Sequence, residues 1–317
     1  GIYIDKLVKK LRLLGVRCRI GSNFLGIVTY ADDLFLMSAS RMGLQVLINE
    51  CEAFGKSHNL VFSTNENIKK SKTKCIAFSN KKLPVLAPIM LDGKALPWVS
   101  DLNHLGNTIE SNNSMNIDSD NKRFNFIRKI TSLNQEFYFS TGDVKMRIYN
   151  IYAMSLYGSC LWDLFSEKSG RLYKAWNVCV RISFNLSRYT HRYLIESVSN
   201  VLHPKVILSS RYIGFHQTLQ KKCNKIGVKL LSNLNCKDLR TTYGRNLNNI
   251  SNACNTQLAN LTPNKVKEKM NYKELANEEK WRLSIINDVL LVREDQLYIE
   301  NFDKDELEHM LNMACSL

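Results

Sequence analysis

The sequence predicts an α+β fold in which a mixed region of strands and helices precedes an all-helical region. Up to about residue 115, short apolar runs end at turn-forming residues, which is typical of strands and hairpins. Beyond that point the apolar residues recur at helical spacing and β-branched runs become rarer. The chain has 317 residues, and its hydrophobic fraction of 44% argues against global disorder.

The mixed region contains two predicted helices. The first ends near Gly15 and includes Asp5, and its apolar positions are Ile4, Leu7, Val8, Leu11 and Leu14. The second follows Ser40, a predicted N-cap, and its apolar face consists of Leu44, Leu47, Ile48, Cys51 and Phe54. Between these helices, the apolar runs 24–29 and 34–37 predict two buried strands of a hairpin.

Short strands are predicted after the second helix. The runs 60–62 and 75–78 are strand candidates, and a lysine-rich polar segment separates them. Asp92-Gly93 lies between two apolar runs and is typical of a tight hairpin. The segment 102–109, with Gly106 inside it, predicts a further strand pair.

The rest of the chain is predicted to be helical. Helices are expected near 124–133, 144–156, 172–184, 190–201, 205–219 and 266–292, with Thr141 or Asp143 as the cap of the second. The Asn-rich stretch predicts a linker or mobile loop, and residues 294–308 form an acidic stretch. The predicted segments are therefore 1–115, 116–165, 166–243, the linker 244–264 and 265–317.

The most informative motif is Tyr30-Ala31-Asp32-Asp33, which lies between the two predicted hairpin strands. Adjacent carboxylates repel by roughly 1 kcal/mol in water and by several times more in a drier site. A divalent cation removes this cost, and phosphoryl-transfer enzymes hold Mg²⁺ ions in pairs roughly 4 Å apart. A bare Asp pair more often serves only the turn, but the flanking strands favour a metal site.

Charge and cysteine content indicate the partner and the compartment. The net charge of +15 and pI of about 9.4 favour an anionic partner, of which nucleic acid is the commonest, although a merely basic protein is the alternative. The nine cysteines include no CxxC pair and predict reduced thiols in an intracellular protein. No apolar run approaches the ~20 residues of a membrane span, so no membrane partner is expected.

The order of the motifs resembles that of reverse transcriptases of non-LTR (LINE-type) retrotransposons. The motifs are Ile2-Tyr3-Ile4-Asp5, the acidic hairpin, Cys51-Glu52-Ala53-Phe54, Lys72-Thr73-Lys74 and His104-Leu105-Gly106. Further along, Leu156-Tyr157-Gly158-Ser159 with Trp162, and Trp176-Asn177 with Arg181, resemble the region after the polymerase. The resemblance covers roughly residues 1–220.

The resemblance implies part of a right-hand polymerase palm, an antiparallel hairpin with packed helices, followed by a helical thumb. It implies an RNA-directed DNA polymerase with two Mg²⁺ or Mn²⁺ ions, an RNA template, a DNA primer or target and deoxynucleoside triphosphates. A retrotransposon protein acts in nucleus and cytoplasm. No oligomeric state is indicated.

The resemblance also assigns roles to residues of the palm. Asp32 would bind metal directly and Asp33 would be the second carboxylate, while Tyr30 would lie under the primer terminus and Ala31 beside the growing duplex. Lys72 would approach the phosphates of the incoming nucleotide, steady charge on the leaving pyrophosphate and act as a proton donor, or it belongs to a solvated basic loop.

The resemblance places duplex contacts in two further segments. His104, Leu105 and Gly106 would grip the primer strand, although the family commonly has Tyr where this chain has His104, and an ordinary strand residue is the alternative. The thumb cations would meet the template–primer backbone, or are simply exposed helix charges. They are Lys122, Arg123, Arg128, Lys129, Lys145 and Arg147.

In the family, the third metal-binding aspartate and the fingers lie upstream of the acidic hairpin. The chain begins at Gly1, shortly before that hairpin, so we expect a fragment that cannot polymerise alone. Asp5 does not replace the missing ligand, because it falls in the first predicted helix. The alternatives are a decayed or domesticated fragment that binds nucleic acid without catalysis, and an unrelated helical interaction protein.

Overall fold

The computed structural model describes residues 2–16, 18–20, 23–64, 71–79, 85–190, 195, 202–221 and 238–270. The mixed α+β class is confirmed. The chain divides into two compact units, the first comprising Gly1–Ile117 and Lys222–Leu234, the second Asp118–Lys221 and Asn235–Leu317.

The first unit begins with helix α1, Ile2–Leu13, and the strands β1, Arg19–Ile20, and β2, Asn23–Phe24. Strands β3, Ile27–Tyr30, and β4, Asp33–Leu36, form the predicted hairpin. Helix α2, Arg41–Ser57, begins at the predicted cap Ser40, whose Oγ accepts a hydrogen bond from the Gly43 amide at 3.1 Å.

The later strands of this unit are short. They are β5 (Cys75–Ile76), β6 (Ile89–Leu91), β7 (Lys94–Leu96), β8 (Trp98–Val99), β9 (Asp101–His104) and β10 (Asn107–Glu110). The described strands form two-stranded sheets, of which only β5–β8 is parallel. The Asp92-Gly93 hairpin is confirmed as β6–β7, with both turn residues at positive φ, 52° and 73°.

Two apolar clusters position the acidic hairpin. The first cluster consists of Leu7, Leu11, Leu47, Cys51 and Phe54. Ile27, Leu34 and Leu36 of the hairpin pack against it, so one face of the hairpin lies on α1 and α2. The second cluster consists of Ile48, Cys75, Ile89, Leu91 and Leu96. Burial of these side chains holds the hairpin on a helical support.

The predicted strand at 60–62 is wrong. The Leu60 amide donates to the Gly55 carbonyl at 2.9 Å and so helps to close the end of α2. The backbone there satisfies a helix terminus instead of a sheet partner. The apolar side chain of Phe62 packs against both clusters, although the residue belongs to no strand.

The second unit is helical in its described part. Its elements are α3 (Asn116–Glu136, beginning at the end of the first unit), α4 (Gly142–Tyr152), α5 (Glu167–Ser183), α6 (Pro204–Lys221), α7 (Thr242–Cys254) and a final helix, α8, at 263–270, with short 3₁₀ turns at Ser159–Leu161 and Leu258–Asn260. The predicted helices at 190–201 and 266–292 lie mostly outside the described residues, and the acidic stretch lies wholly outside them.

The predicted linker at 244–264 is wrong. Helix α7 occupies much of it, and Leu247, Ile250 and Cys254 are buried at helical spacing. Asn246 is also completely buried, and its amide donates to the Trp162 carbonyl at 2.7 Å and accepts from the Leu164 amide at 3.0 Å. The many asparagines made this segment look like a loop, although it carries a narrow apolar stripe at helical spacing. Asn246 itself has a structural role, because it bonds two buried backbone groups.

Candidate functional site

The acidic motif lies at the tip of the β3–β4 hairpin. Tyr30 pairs with Asp33, which leaves Ala31 and Asp32 as the two loop residues. Asp32 therefore occupies the turn itself, and Asp33 is the first residue of β4. Both side chains belong to exposed residues. The predicted arrangement of adjacent carboxylates on a strand-supported turn is confirmed.

The turn requires an uncommon backbone conformation at Ala31. Its φ is +51°, in the left-handed region that non-glycine residues rarely occupy. The steric cost for a residue with a Cβ is about 1–2 kcal/mol. Such strain persists only where the surrounding structure imposes it, and here the paired strands do so.

The two faces of the hairpin have different environments. Because paired residues share a face, Tyr30 and Asp33 lie on the same side as Val28 and Phe35. This is the side opposite to Ile27, Leu34 and Leu36, which pack on the first cluster. Tyr30 is 65% exposed. No residue of β3 or β4 is fully buried, so the prediction of two buried strands is wrong. The acidic turn projects from a partly buried hairpin that has an open, partly aromatic face.

The β9–β10 hairpin contacts this open face. The ring of His104 lies 5.1 Å from the ring of Phe35, centroid to centroid. His104 pairs with Asn107, and the two loop residues Leu105 and Gly106 have φ of 48° and 75°, as a tight primed turn requires. The structure therefore brings the His104 hairpin to the strand that carries Asp33.

The carboxylates offer hard oxygen ligands, which suit Mg²⁺ or Mn²⁺. Within the described residues, no group of three or more His, Cys, Asp or Glu side chains is placed to hold a metal ion. Asp32 and Asp33 alone could supply only part of a coordination shell, so a metal ion at the turn would need further ligands from water, a nucleotide phosphate or another carboxylate.

Lys72 is exposed in the loop before β5. The hydroxyl of Ser71 donates to the Thr73 carbonyl at 2.7 Å, and that of Thr73 donates to the Ser63 carbonyl at 2.8 Å, so the backbone on both sides of Lys72 is fixed. No ion pair or hydrogen bond joins Lys72 to either aspartate, all three being described residues. Its predicted contact with nucleotide phosphates stays a prediction.

Two of the predicted duplex-binding cations are engaged inside the second unit. Lys122 Nζ donates to the Tyr157 carbonyl at 2.6 Å and forms an ion pair with Asp118 at 3.3 Å, and only 16% of its side chain is exposed. Arg123 pairs with Asp120 at 3.4 Å. These interactions join the start of α3 to the Tyr157 carbonyl and pair both cations with aspartates of the same helix. Lys122 and Arg123 therefore have a structural role.

The other four cations differ in accessibility. Arg128, Lys129 and Arg147 are exposed, whereas Lys145 is buried. Lys129 Nζ donates to the Tyr152 carbonyl at 3.2 Å, which places it at the end of α4. The exposed members lie on both helices of the α3–α4 pair and remain available for a phosphate backbone.

Sequence reasoning missed three residues that support these elements. Phe35 connects the two hairpins, and its spacing of two from Asp33 was the available signal. Asp118 is buried and accepts a hydrogen bond from Trp162 Nε1 at 2.7 Å. Neither this pair nor the buried Asn246 has a local sequence signal, because the partners are 44 and 82–84 positions away.

Buried thiols in the described residues are not nucleophiles. Burial raises the pKa of Cys51 and of Cys179 to about 12, and that of Cys75 to about 11. Because the thiolate is the reactive form, these cysteines serve packing rather than catalysis. All six cysteines within the described ranges are free.

None of the helices in the described ranges combines the length and the apolar character that crossing a bilayer requires. In comparisons with known proteins, no protein-family model, no curated protein and no solved structure matches this chain. The family membership that the motifs predict accordingly stays a prediction.

Proposed function

We propose that this chain is the distal palm and thumb of an RNA-directed DNA polymerase of the non-LTR retrotransposon type. One observation carries the proposal: two exposed, adjacent carboxylates occupy a strained two-residue turn whose strands are anchored in a helical core. Repulsion between neighbouring carboxylates and a left-handed alanine both cost stability, and a function that needs the charges there explains why the turn is kept.

Asp32 and Asp33 are the residues that would hold Mg²⁺ or Mn²⁺. When bound, the ions would activate the primer hydroxyl and stabilise the departing pyrophosphate. The hairpin fixes the carboxylates because its inner face is packed and its strands are paired. Tyr30 lies beside Asp33 on the open face and offers an exposed ring for the primer terminus. His104, whose ring contacts Phe35 of β4, would contact the primer strand.

We further propose that the metal site is completed by a carboxylate that the described residues do not provide. The basis is the absence, within those residues, of any three-ligand group. The chain alone is then expected to bind divalent ions weakly and to show no nucleotide incorporation. Addition of a palm segment that carries a third aspartate is expected to restore incorporation on a primed RNA.

Metal binding is tested on the chain itself by Mn²⁺-induced broadening of amide signals. We expect broadening centred on residues 30–34, and its loss in a variant that combines Asp32→Asn with Asp33→Asn. Asp92→Asn is the matched control, because Asp92 is an exposed acidic residue at the tip of the β6–β7 hairpin in the same unit. Broadening that survives the double substitution would contradict the proposed metal site.

Catalysis is tested by primer extension with the chain joined to the added palm segment. Asp32→Asn should reduce Mg²⁺-dependent incorporation by several orders of magnitude, since it removes a direct ligand of the catalytic ions. Asp92→Asn should leave incorporation unchanged. Incorporation that persists in Asp32→Asn would end the assignment of that residue.

The second candidate function is nucleic-acid binding without catalysis. The net charge of +15 and the incomplete ligand set favour it. In that case, the logarithm of duplex affinity falls with the logarithm of salt concentration, with a slope of about −0.9 per neutralised phosphate. Asp32→Asn should leave this affinity unchanged. No incorporation would appear even with the added segment, which separates this candidate from the polymerase.

A further inference from the structure

The turn between α3 and α4 exposes an unusual set of aromatic side chains. Phe137, Tyr138 and Phe139 follow one another in the sequence and are 37%, 70% and 97% exposed. We call these three residues the aromatic corner. The cores of the same helices are filled by other residues, such as Phe126, Ile130 and Met146, so the corner is not needed for packing them together.

A hydrogen bond fixes where the corner lies relative to α4. Lys145 Nζ donates to the Tyr138 carbonyl at 3.1 Å, so the corner is held beside the N-terminal half of α4.

The rings at the tip have a geometry that suits a flat ligand. Tyr138 and Phe139 are 5.1 Å apart, centroid to centroid, with an interplanar angle of 84°. Lys145 Nζ lies 5.9 Å from the centre of the Tyr138 ring, so a cation already occupies the neighbourhood of that ring. A base stacked on either ring would meet the edge of the other.

The charge of the chain favours an anionic ligand. On α3 and α4, Arg128, Lys129 and Arg147 are exposed, as are the acidic Glu136 and Asp143, whereas Lys145 is buried. The whole chain carries a net charge of +15. Exposed aromatic rings interleaved with cations are how proteins bind single-stranded nucleic acid, because every base offers a face for stacking while the cations follow the phosphates.

We propose that the aromatic corner binds an unpaired nucleic-acid strand by base stacking. The inference rests on the nucleic-acid partner of the proposed function, but not on catalysis at the acidic turn. A paired duplex hides its base faces, so the corner selects an unpaired segment over a duplex. The shared chemistry of stacking and phosphate contact applies to RNA and to DNA.

The test measures binding of the full chain to fluorescein-labelled 12-nucleotide RNA, the same sequence as DNA, and a 12-base-pair duplex, by fluorescence anisotropy. Combined Tyr138→Ala and Phe139→Ala should weaken binding to both single strands by about tenfold or more, because each lost stacking contact accounts for about that factor. Binding to the duplex should change by less than about twofold, and the salt slope should stay the same because no phosphate contact is removed.

Two controls separate stacking from other effects. Tyr189→Ala removes an equally exposed tyrosine elsewhere in the second unit and should leave all affinities unchanged. Phe139→Leu keeps an apolar side chain but removes the ring, and it should weaken single-strand binding, whereas a site for an apolar protein segment would tolerate it. The substituted residues are exposed, so circular dichroism should confirm unchanged helix content.

The proposal is overturned if the unsubstituted chain does not bind the single strands, if the double variant binds them normally, or if it loses duplex affinity to the same extent. The combined Asp32→Asn and Asp33→Asn variant should keep full single-strand affinity. Loss of incorporation in that variant with intact single-strand binding supports both proposals. Intact binding together with no incorporation by any form refutes only the polymerase.

Discussion

Replacing Ala31 by glycine should stabilise the acidic hairpin, although glycine usually weakens β-structure. Ala31 has φ of +51°, a conformation in which a Cβ costs about 1–2 kcal/mol. Glycine removes that cost but brings a loss of about 0.5–1 kcal/mol, because the unfolded chain gains conformational freedom. The net expectation is a gain of about 0.5–1 kcal/mol.

The gain is measured by native-state hydrogen exchange of peptides that cover residues 24–37. In this segment the Met37 amide donates to the Gly26 carbonyl at 2.9 Å, next to the paired strands, so its exchange reports opening of the hairpin. A gain of about 0.5–1 kcal/mol corresponds to exchange about two- to fivefold slower. The measurement is local, so the second unit does not contribute to it.

Ala95→Gly provides a control with the opposite sign. Ala95 is exposed in β7, where it pairs with Met90, and its backbone has no positive φ. Glycine there should cost about 0.5–1 kcal/mol and speed exchange in the β6–β7 hairpin. If Ala31→Gly also speeds exchange of its own hairpin, the turn is not strained, and the argument that function maintains it loses its basis.

Three further predictions concern burial. Asn246→Ala should destabilise the second unit by about 2–4 kcal/mol, because two buried backbone groups lose their partners. Asn248 is exposed, so Asn248→Ala should have little effect, and urea unfolding measures the stability of both variants. Cys51, with its pKa raised by burial to about 12, should resist maleimide at pH 8 in the folded chain, whereas the half-buried Cys18 reacts, as mass spectrometry would show. Burial lowers the pKa of His216, so the unfolded state binds the proton more readily and stability should fall as pH drops from about 7 to 5; His216→Gln should flatten this slope in thermal unfolding.

The hairpins were predictable because their signals are local. Asp92-Gly93 between apolar runs specifies a turn in which both residues need positive φ, and the structure has that turn. The acidic hairpin followed in the same way from the length and apolar character of the two runs that flank the motif. The cap at Ser40 required only the residue type and the apolar period that follows it.

The failures arose where a distant partner decides the structure. Residues 244–264 looked like a linker because asparagine is common in loops, but Asn246 finds its partners at Trp162 and Leu164. Lys122 looked like an exposed charge, yet it is held by Asp118 and the Tyr157 carbonyl. A local stretch of sequence cannot reveal the partners of Asn246, because they lie 82–84 positions away.

Helix α2 serves as a common wall for the two apolar clusters of the first unit. Leu47, Cys51 and Phe54 face one cluster, and Ile48 faces the other. Detaching this helix would expose both clusters at once, so the acidic hairpin and the β6–β7 hairpin should open in a single cooperative event rather than separately. The position of the carboxylates at the turn is consequently fixed by α2, although it is the apolar residues of the hairpin that pack on this helix.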